Sequence, residues 1–139
     1  MVYPARDNKF EINTGTDTYA PIKDVETYSV AIDNNVEEWH AYDAEGWMRR
    51  MLTAKSLTVS LSGKRNYGDT GNDYVAGKKL SMGAEAESTL KWTLPSGAVL
   101  TIPCVINTTT PGGGDASGVD TLEVEFMSNG KPDFKAATA

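Results

Sequence analysis

Ser56-Leu-Thr-Val-Ser-Leu-Ser62 decides the fold class. Leu57, Val59 and Leu61 fall on one side of an extended chain, and Thr58, Ser60 and Ser62 on the other. A strand that alternates this strictly has one face against a core and one against water, as in antiparallel sheets. Thr89-Leu-Lys-Trp-Thr-Leu94 repeats the pattern with Leu90, Trp92 and Leu94, and Thr121-Leu-Glu-Val-Glu-Phe126 with Leu122, Val124 and Phe126. Pro95-Ser-Gly97 is a tight turn, so 88–107 reads as a hairpin.

Working outward, Phe10–Asn13 is a short first strand and Thr27–Ile32 a second, stopped by Asp33-Asn34-Asn35. Val36–Tyr42 is extended, Asp43-Ala-Glu-Gly46 reverses the chain, and Trp47–Leu52 returns, giving a long hairpin arm over about 36–54. One helix is predicted, over Asp69–Met82. Asp69 or Thr70 caps it, Asp73 suits its positive end, Tyr74, Val75 and Leu80 form a weak apolar side, and Gly83 is the stop. Gly77 costs that helix about 1 kcal/mol relative to alanine. The loop Pro111–Gly118 is glycine-rich but lacks a following GK[ST] and a helix, and Asp115 would repel an anion, which excludes a phosphate loop. The expected fold is mainly β: an antiparallel β-sandwich or partly closed barrel with one flanking α-helix and a protruding hairpin arm, in one domain over 1–139.

A chain of 139 residues, 40% apolar, supports one core. Its net charge of −6 argues against gripping nucleic-acid phosphates. No apolar run approaches the ~20 residues of a membrane span, and the start carries no apolar signal segment, so neither a membrane partner nor Sec export is expected. One cysteine and one histidine exclude an intramolecular disulfide, a multi-cysteine zinc site and a His-pair metal site. Cys104 shares its strand face with Leu100, Ile102 and Ile106, the place of a buried small apolar residue. Glu37, Glu38, Asp43 and Glu45 crowd a turn, where carboxylates are solvated, and His40 lacks a nucleophile motif. No catalytic residue, metal or cofactor is expected, and the chain reads as a non-enzyme.

Residues 33–47 hold five acids, two tryptophans and neither Lys nor Arg; Arg49 and Arg50 follow at once. Trp and Arg anchor protein contacts, and an acidic segment beside a basic one is self-complementary between copies. Glu37, Glu38, Trp39, Glu45, Trp47, Arg49 and Arg50 are therefore the candidate interface residues. Composition leaves open whether the tryptophans serve an interface or the core.

At these residues the chain resembles a family. Asp33-Asn-Asn-Val-Glu-Glu-Trp39, Glu45-Gly-Trp-Met-Arg-Arg50, Lys55-Ser-Leu-Thr-Val-Ser-Leu-Ser-Gly-Lys-Arg65 and Gly68-Asp-Thr-Gly-Asn-Asp-Tyr-Val-Ala-Gly77 are similar to segments of bacteriophage major tail proteins, the tail tube proteins. Lys91–Gly97, the glycines at 112–114 and Glu123–Pro132 fit as well, so the likeness covers about 8–134. It implies a structural virion protein that polymerises as stacked, hexameric rings into the tube through which DNA is ejected. The arm would reach an adjacent ring, and no C-terminal immunoglobulin-like domain is expected. Implied partners are other copies of the chain, a tail-tip initiator, a tape measure protein and a tail terminator, with phage DNA passing unbound through the lumen. Implied locations are the virion tail and, during assembly, the host bacterial cytoplasm. The wet strand faces would divide between lumen and wall; Glu123, Glu125, Thr58, Ser60 and Ser62 are the lumen candidates. The alternative is a monomeric carbohydrate-binding β-sandwich that stacks sugars on its three tryptophans and six tyrosines.

Overall fold

A computed structural model describes residues 1–137. In chain order its elements are β1 (Lys9–Asn13), β2 (Tyr19–Pro21), β3 (Val25–His40), β4 (Met48–Lys64), α1 (Thr70–Ala76), β5 (Glu87–Thr93), β6 (Val99–Thr110), β7 (Thr121–Ser128) and β8 (Asp133–Lys135). All pairings are antiparallel, in the order β2-β1-β5-β6-β7-β4-β3. β8 pairs with Val99–Thr101 of β6, on the edge that β7 uses further along.

The alternating residues all turn to one side. Leu57, Val59 and Leu61 of β4 stand beside Leu122, Val124 and Phe126 of β7, then Cys104 and Ile106 of β6, Leu90 of β5, and Phe10 and Ile12 of β1. The single sheet curls around this side until Phe10 on β1 meets Tyr28 on β3 across the core, with Trp92 completing an aromatic trio. The barrel stays open between β1 and β3, where a seam of about 480 Å³ runs past Phe10, Glu11, Ile22, Val25 and Tyr28. The fold is thus the partly closed barrel of the two expected forms.

One end of the barrel is stopped by α1. Asp69 caps it by accepting from the Asn72 backbone N–H at 3.0 Å, and Val75 and Ala76 enter the core. Thr108 donates from Oγ1 to the Val75 carbonyl at 2.6 Å, tying the helix to β6. The helix is shorter than predicted. After Ala76 the chain tightens to a 3-10 turn over Gly77–Leu80, and Leu80 is exposed. A weak apolar stripe with glycine at its centre could not sustain a longer helix against solvent.

Asp33-Asn34-Asn35 does not stop the second strand either; β3 runs through it to His40. Partner strand β4 supplies the ladder there, and cross-strand bonding outweighs the weak intrinsic β-preference of Asp and Asn. Strands β2 and β8, three residues each, had no alternation to reveal them.

Candidate assembly surfaces

From Asp33 and Ser56 outward, β3 and β4 pair only with each other. This two-stranded ribbon begins nearer the barrel than the expected 36–54 and leaves the end opposite α1. It runs eight residues to the last pair, His40 with Met48, or about 26 Å at ~3.3 Å per residue. Its tip is a 3-10 turn over Tyr42–Ala44, closed by the Trp47 N–H donating to the Ala44 carbonyl at 3.0 Å. Glu45 (φ 54°) and Gly46 (φ 87°) follow in left-handed conformation, where glycine is unstrained.

The seven candidate interface residues all lie on this arm and all are exposed. Trp39 and Trp47 stand clear of the core, at 41% and 78% exposure. The complementary charges already meet within one copy. Glu38 faces Arg50 across the ribbon at 3.7 Å, and the Arg49 guanidinium lies 6.0 Å from the Trp39 ring. Such an exposed pair contributes little, so neither residue is committed to its present partner.

A β-bulge interrupts the arm. Asn35 pairs with Ala54 and Val36 with Leu52, leaving Thr53 as the extra residue. Asn35 Nδ2 donates to Thr53 Oγ1 at 2.8 Å, and Thr53 Oγ1 to the Asn35 carbonyl at 3.2 Å. The bulge exchanges the faces of β4, so Val36 and Leu52 come to share the core-side face of the ribbon, in line with Ile32 and Leu57. Ile32, Val36 and Leu52 are about half exposed, a strip of unburied apolar surface.

The five lumen candidates occupy one patch on the opposite, polar sheet face. Ser62 pairs with Glu123 and Ser60 with Glu125, while Thr58 pairs with Met127. Thr27 and Ser29 of β3 and Asn107 of β6 extend the patch by register. Thr110 Oγ1 donates to Glu123 Oε2 at 3.0 Å. The Lys64 ammonium at its border lies 3.4 Å from Glu26. The patch is polar, shallow and acidic.

Among the described residues no group of three or more His, Cys, Asp and Glu could hold a metal. Cys104 is buried, and loss of solvation pushes its thiol up to about 12, far from a reactive thiolate. Trp92 packs half-buried against the core, its Nε1 donating to Asn8 Oδ1 at 2.9 Å. Among the described residues no helix is long and apolar enough to cross a membrane.

Two features escaped the sequence reading. Arg65 ion-pairs with Asp73 at 2.7 Å and lies over the Tyr67 ring. That hydrogen bond, before all else, holds the Asp73 carboxyl below its ordinary value. Asn72 is fully buried: it accepts from Arg65 and the Asn66 N–H and donates to the carbonyls of Lys23 and Lys64. Its place three residues before Val75, on the core side of α1, was the available signal.

No known protein-family model and no curated protein matches the sequence. Solved structures do match. One is a chain in the tail of an empty gene transfer agent particle, refined with C6 symmetry: TM-score 0.75, 18% identity, covering 97% of this chain and 100% of that one. A chain in the virion of the native gene transfer agent particle gives 0.74 at 15% identity, with the same coverage. The chain has the fold of these tail-particle proteins. A chain in the sheath/tube terminator structure of an extracellular contractile injection system is also similar, at TM-score 0.64 and 15% identity over 98% of each chain. At such identities the likeness is one of fold, and it extends along nearly the whole chain.

Proposed function

We propose that this chain is the building block of a phage-type tail tube. Copies close into rings, rings stack, and DNA leaves through the bore. The observation that carries this reading is the end-to-end fold match with a chain from a C6 tail. The six-fold ring is taken over from that particle. The sheet supports it physically: β3 presents a sixteen-residue outer edge with no strand beside it among the described residues. A long free edge invites pairing with another chain, and ring closure satisfies it without limitless growth. The acidic patch around Glu123 and Glu125 faces the bore, where it repels phosphates. Arms carrying Trp39 and Trp47 join neighbouring copies. A tail-tip initiator, a tape measure protein and a terminator set where the tube starts and stops, in the host cytoplasm, before the tail joins the virion.

A second reading has its own support, because tube-terminator structures share the fold at TM-scores of 0.60–0.64. A terminator caps a finished tube and does not polymerise alone. Concentrated purified protein, with and without a tail-tip nucleus, separates the readings under the electron microscope. Tubes or six-membered rings are expected. Single rings that bind only the ends of preformed tubes would favour the terminator. Persistent monomers under both conditions would overturn both, and glycan-array binding by those monomers would favour the carbohydrate module.

A further inference from the structure

At the end of the barrel from which the arm departs, the core is uncovered. A groove of about 690 Å³ opens there, lined by Val30, Ile32, Leu57, Trp92, Leu100 and Pro132. Its apolar floor continues the core, since Val30, Trp92 and Leu100 also pack against the buried cluster. Lys55 and Lys131 stand on the rim. Among the described residues neither makes a salt bridge; Lys55 Nζ donates only to Asn34 Oδ1, at 2.9 Å.

The tip of the arm has the opposite character in the same proportions. Tyr42 is fully exposed and Trp47 nearly so, flanking Asp43 and Glu45 on a tight turn. It is two aromatic rings with two carboxylates, held at the far end of a ~26 Å ribbon. The ribbon leads away from its own barrel, so the tip is placed to reach another copy's groove. Large aromatic anchors entering a desolvated apolar pocket ringed by charge are the usual source of binding energy at protein contacts.

We propose that the arm-end groove is the socket for the arm tip of a second copy, with Tyr42 and Trp47 covering Leu57, Trp92 and Leu100, and Asp43 and Glu45 meeting Lys55 and Lys131. This rests on the self-assembly reading and names the two surfaces that engage. The contact is heterologous: tip and socket are different surfaces of one chain, so each copy offers one of each and the contact propagates.

The test pairs two cysteine variants, Ala44→Cys at the tip and Ser56→Cys at the groove, co-assembled and treated with a short bis-maleimide. Buried Cys104 stays silent as an internal control. Cross-linked dimers joining position 44 to position 56 are expected in assembled tubes. A second mixture, Ala44→Cys with Thr89→Cys on the polar sheet face, should give none. Independently, reversing Lys55→Glu and Lys131→Glu together should raise the protein concentration needed for assembly about tenfold or more. Adding Asp43→Lys and Glu45→Lys in the same chain should restore it. Tubes that form without the 44–56 cross-link, or a charge reversal that leaves assembly unchanged, would overturn the socket while leaving the tube reading intact. Failure of the unsubstituted chain to assemble would overturn both.

Discussion

Phe10 and Tyr28 meet with ring centroids 5.2 Å apart, although their strands lie second from one end and last at the other in the sheet order. Among the described residues no backbone ladder crosses the seam between them, so the aromatic contact, backed by Trp92, holds the barrel's curl. Phe10→Ala removes a buried ring from a place with no strand pairing to compensate. Such truncations cost about 3–5 kcal/mol, much of a domain's total stability. Chemical denaturation should show a loss of that size, larger than for Met51→Ala on the exposed arm, which should be near neutral.

Asn72 offers a second test. It satisfies four polar groups from two segments of chain, without which Lys23, Lys64 and Asn66 would leave backbone groups stranded where the helix meets the sheet. Asn72→Ala should cost about 3 kcal/mol or more, because buried groups left unpaired lose their full solvation. Asn72→Asp keeps the shape and the acceptor for Arg65 but sets a carboxylate oxygen against the two carbonyls. It should also destabilise, which separates the donor role from the space-filling one. Equal stability of both variants with the parent chain, by thermal unfolding, would contradict this account.

How much of this was readable beforehand follows from which residues carry a period. Leu57, Val59 and Leu61, or Leu122, Val124 and Phe126, announce a strand and its inward face by themselves, and the structure buries all six. The arm was readable as a hairpin because Asp43–Gly46 is rich in turn formers. Its strands were not fully bounded, because Asp33–Asn35 is extended only by virtue of the ladder to β4. The sequence could place Glu123, Glu125, Ser60 and Ser62 on wet strand faces, but their grouping depends on β4 lying beside β7, a pairing across more than fifty residues. The groove at the arm's base was invisible for the same reason: Ile32, Leu57, Trp92, Leu100 and Pro132 come from five separate segments.

Cys104 gives a pH signature whose sign is fixed. Its thiol is raised by burial from 9.0 to about 12, so the folded chain keeps a proton that the unfolded chain releases. Stability from this group is complete below pH 9 and falls as pH rises from 9 towards 12, by about 1.4 kcal/mol per unit. The stability difference between the parent chain and Cys104→Ala should therefore be flat from pH 7 to about 9 and shrink above it. A difference that stays flat to pH 10.5 or beyond would contradict the burial argument. Maleimide should label Cys104 only in denaturant.

Thr53 can be removed without changing any other cross-strand pair, because Ala54 and Leu52 already face Asn35 and Val36. Deleting it erases the bulge, and with it the local bend and extra twist that bulges impose. The residue is exposed, so the monomer should lose about 0.5 kcal/mol or less beyond its bonds to Asn35. Assembly should suffer much more, since a tip at the end of a ~26 Å lever is displaced by any change of angle at its base. Normal tubes by negative-stain microscopy from the deletion variant would show that the arm's direction does not matter.

The acidic patch makes the last prediction. Ser60, Ser62, Glu123 and Glu125 form one face because β4 and β7 lie in register, and Thr110 on β6 steadies Glu123. If that face lines the bore, every ring repeats the carboxylates around the path of the DNA, and the Lys64 ammonium at its border is already paired with Glu26. Glu123→Lys with Glu125→Lys changes the sign of that path by four charges per copy, without touching the apolar side that holds the fold. Tubes should still form. DNA should then pass more slowly, and the delay should lessen as salt rises, because binding of phosphates by lysine releases counterions and weakens steeply with ionic strength. The measurement is the rate of DNA release from assembled particles at two salt concentrations. A rate unchanged at low salt would remove these residues from the bore and put the patch on the outer wall.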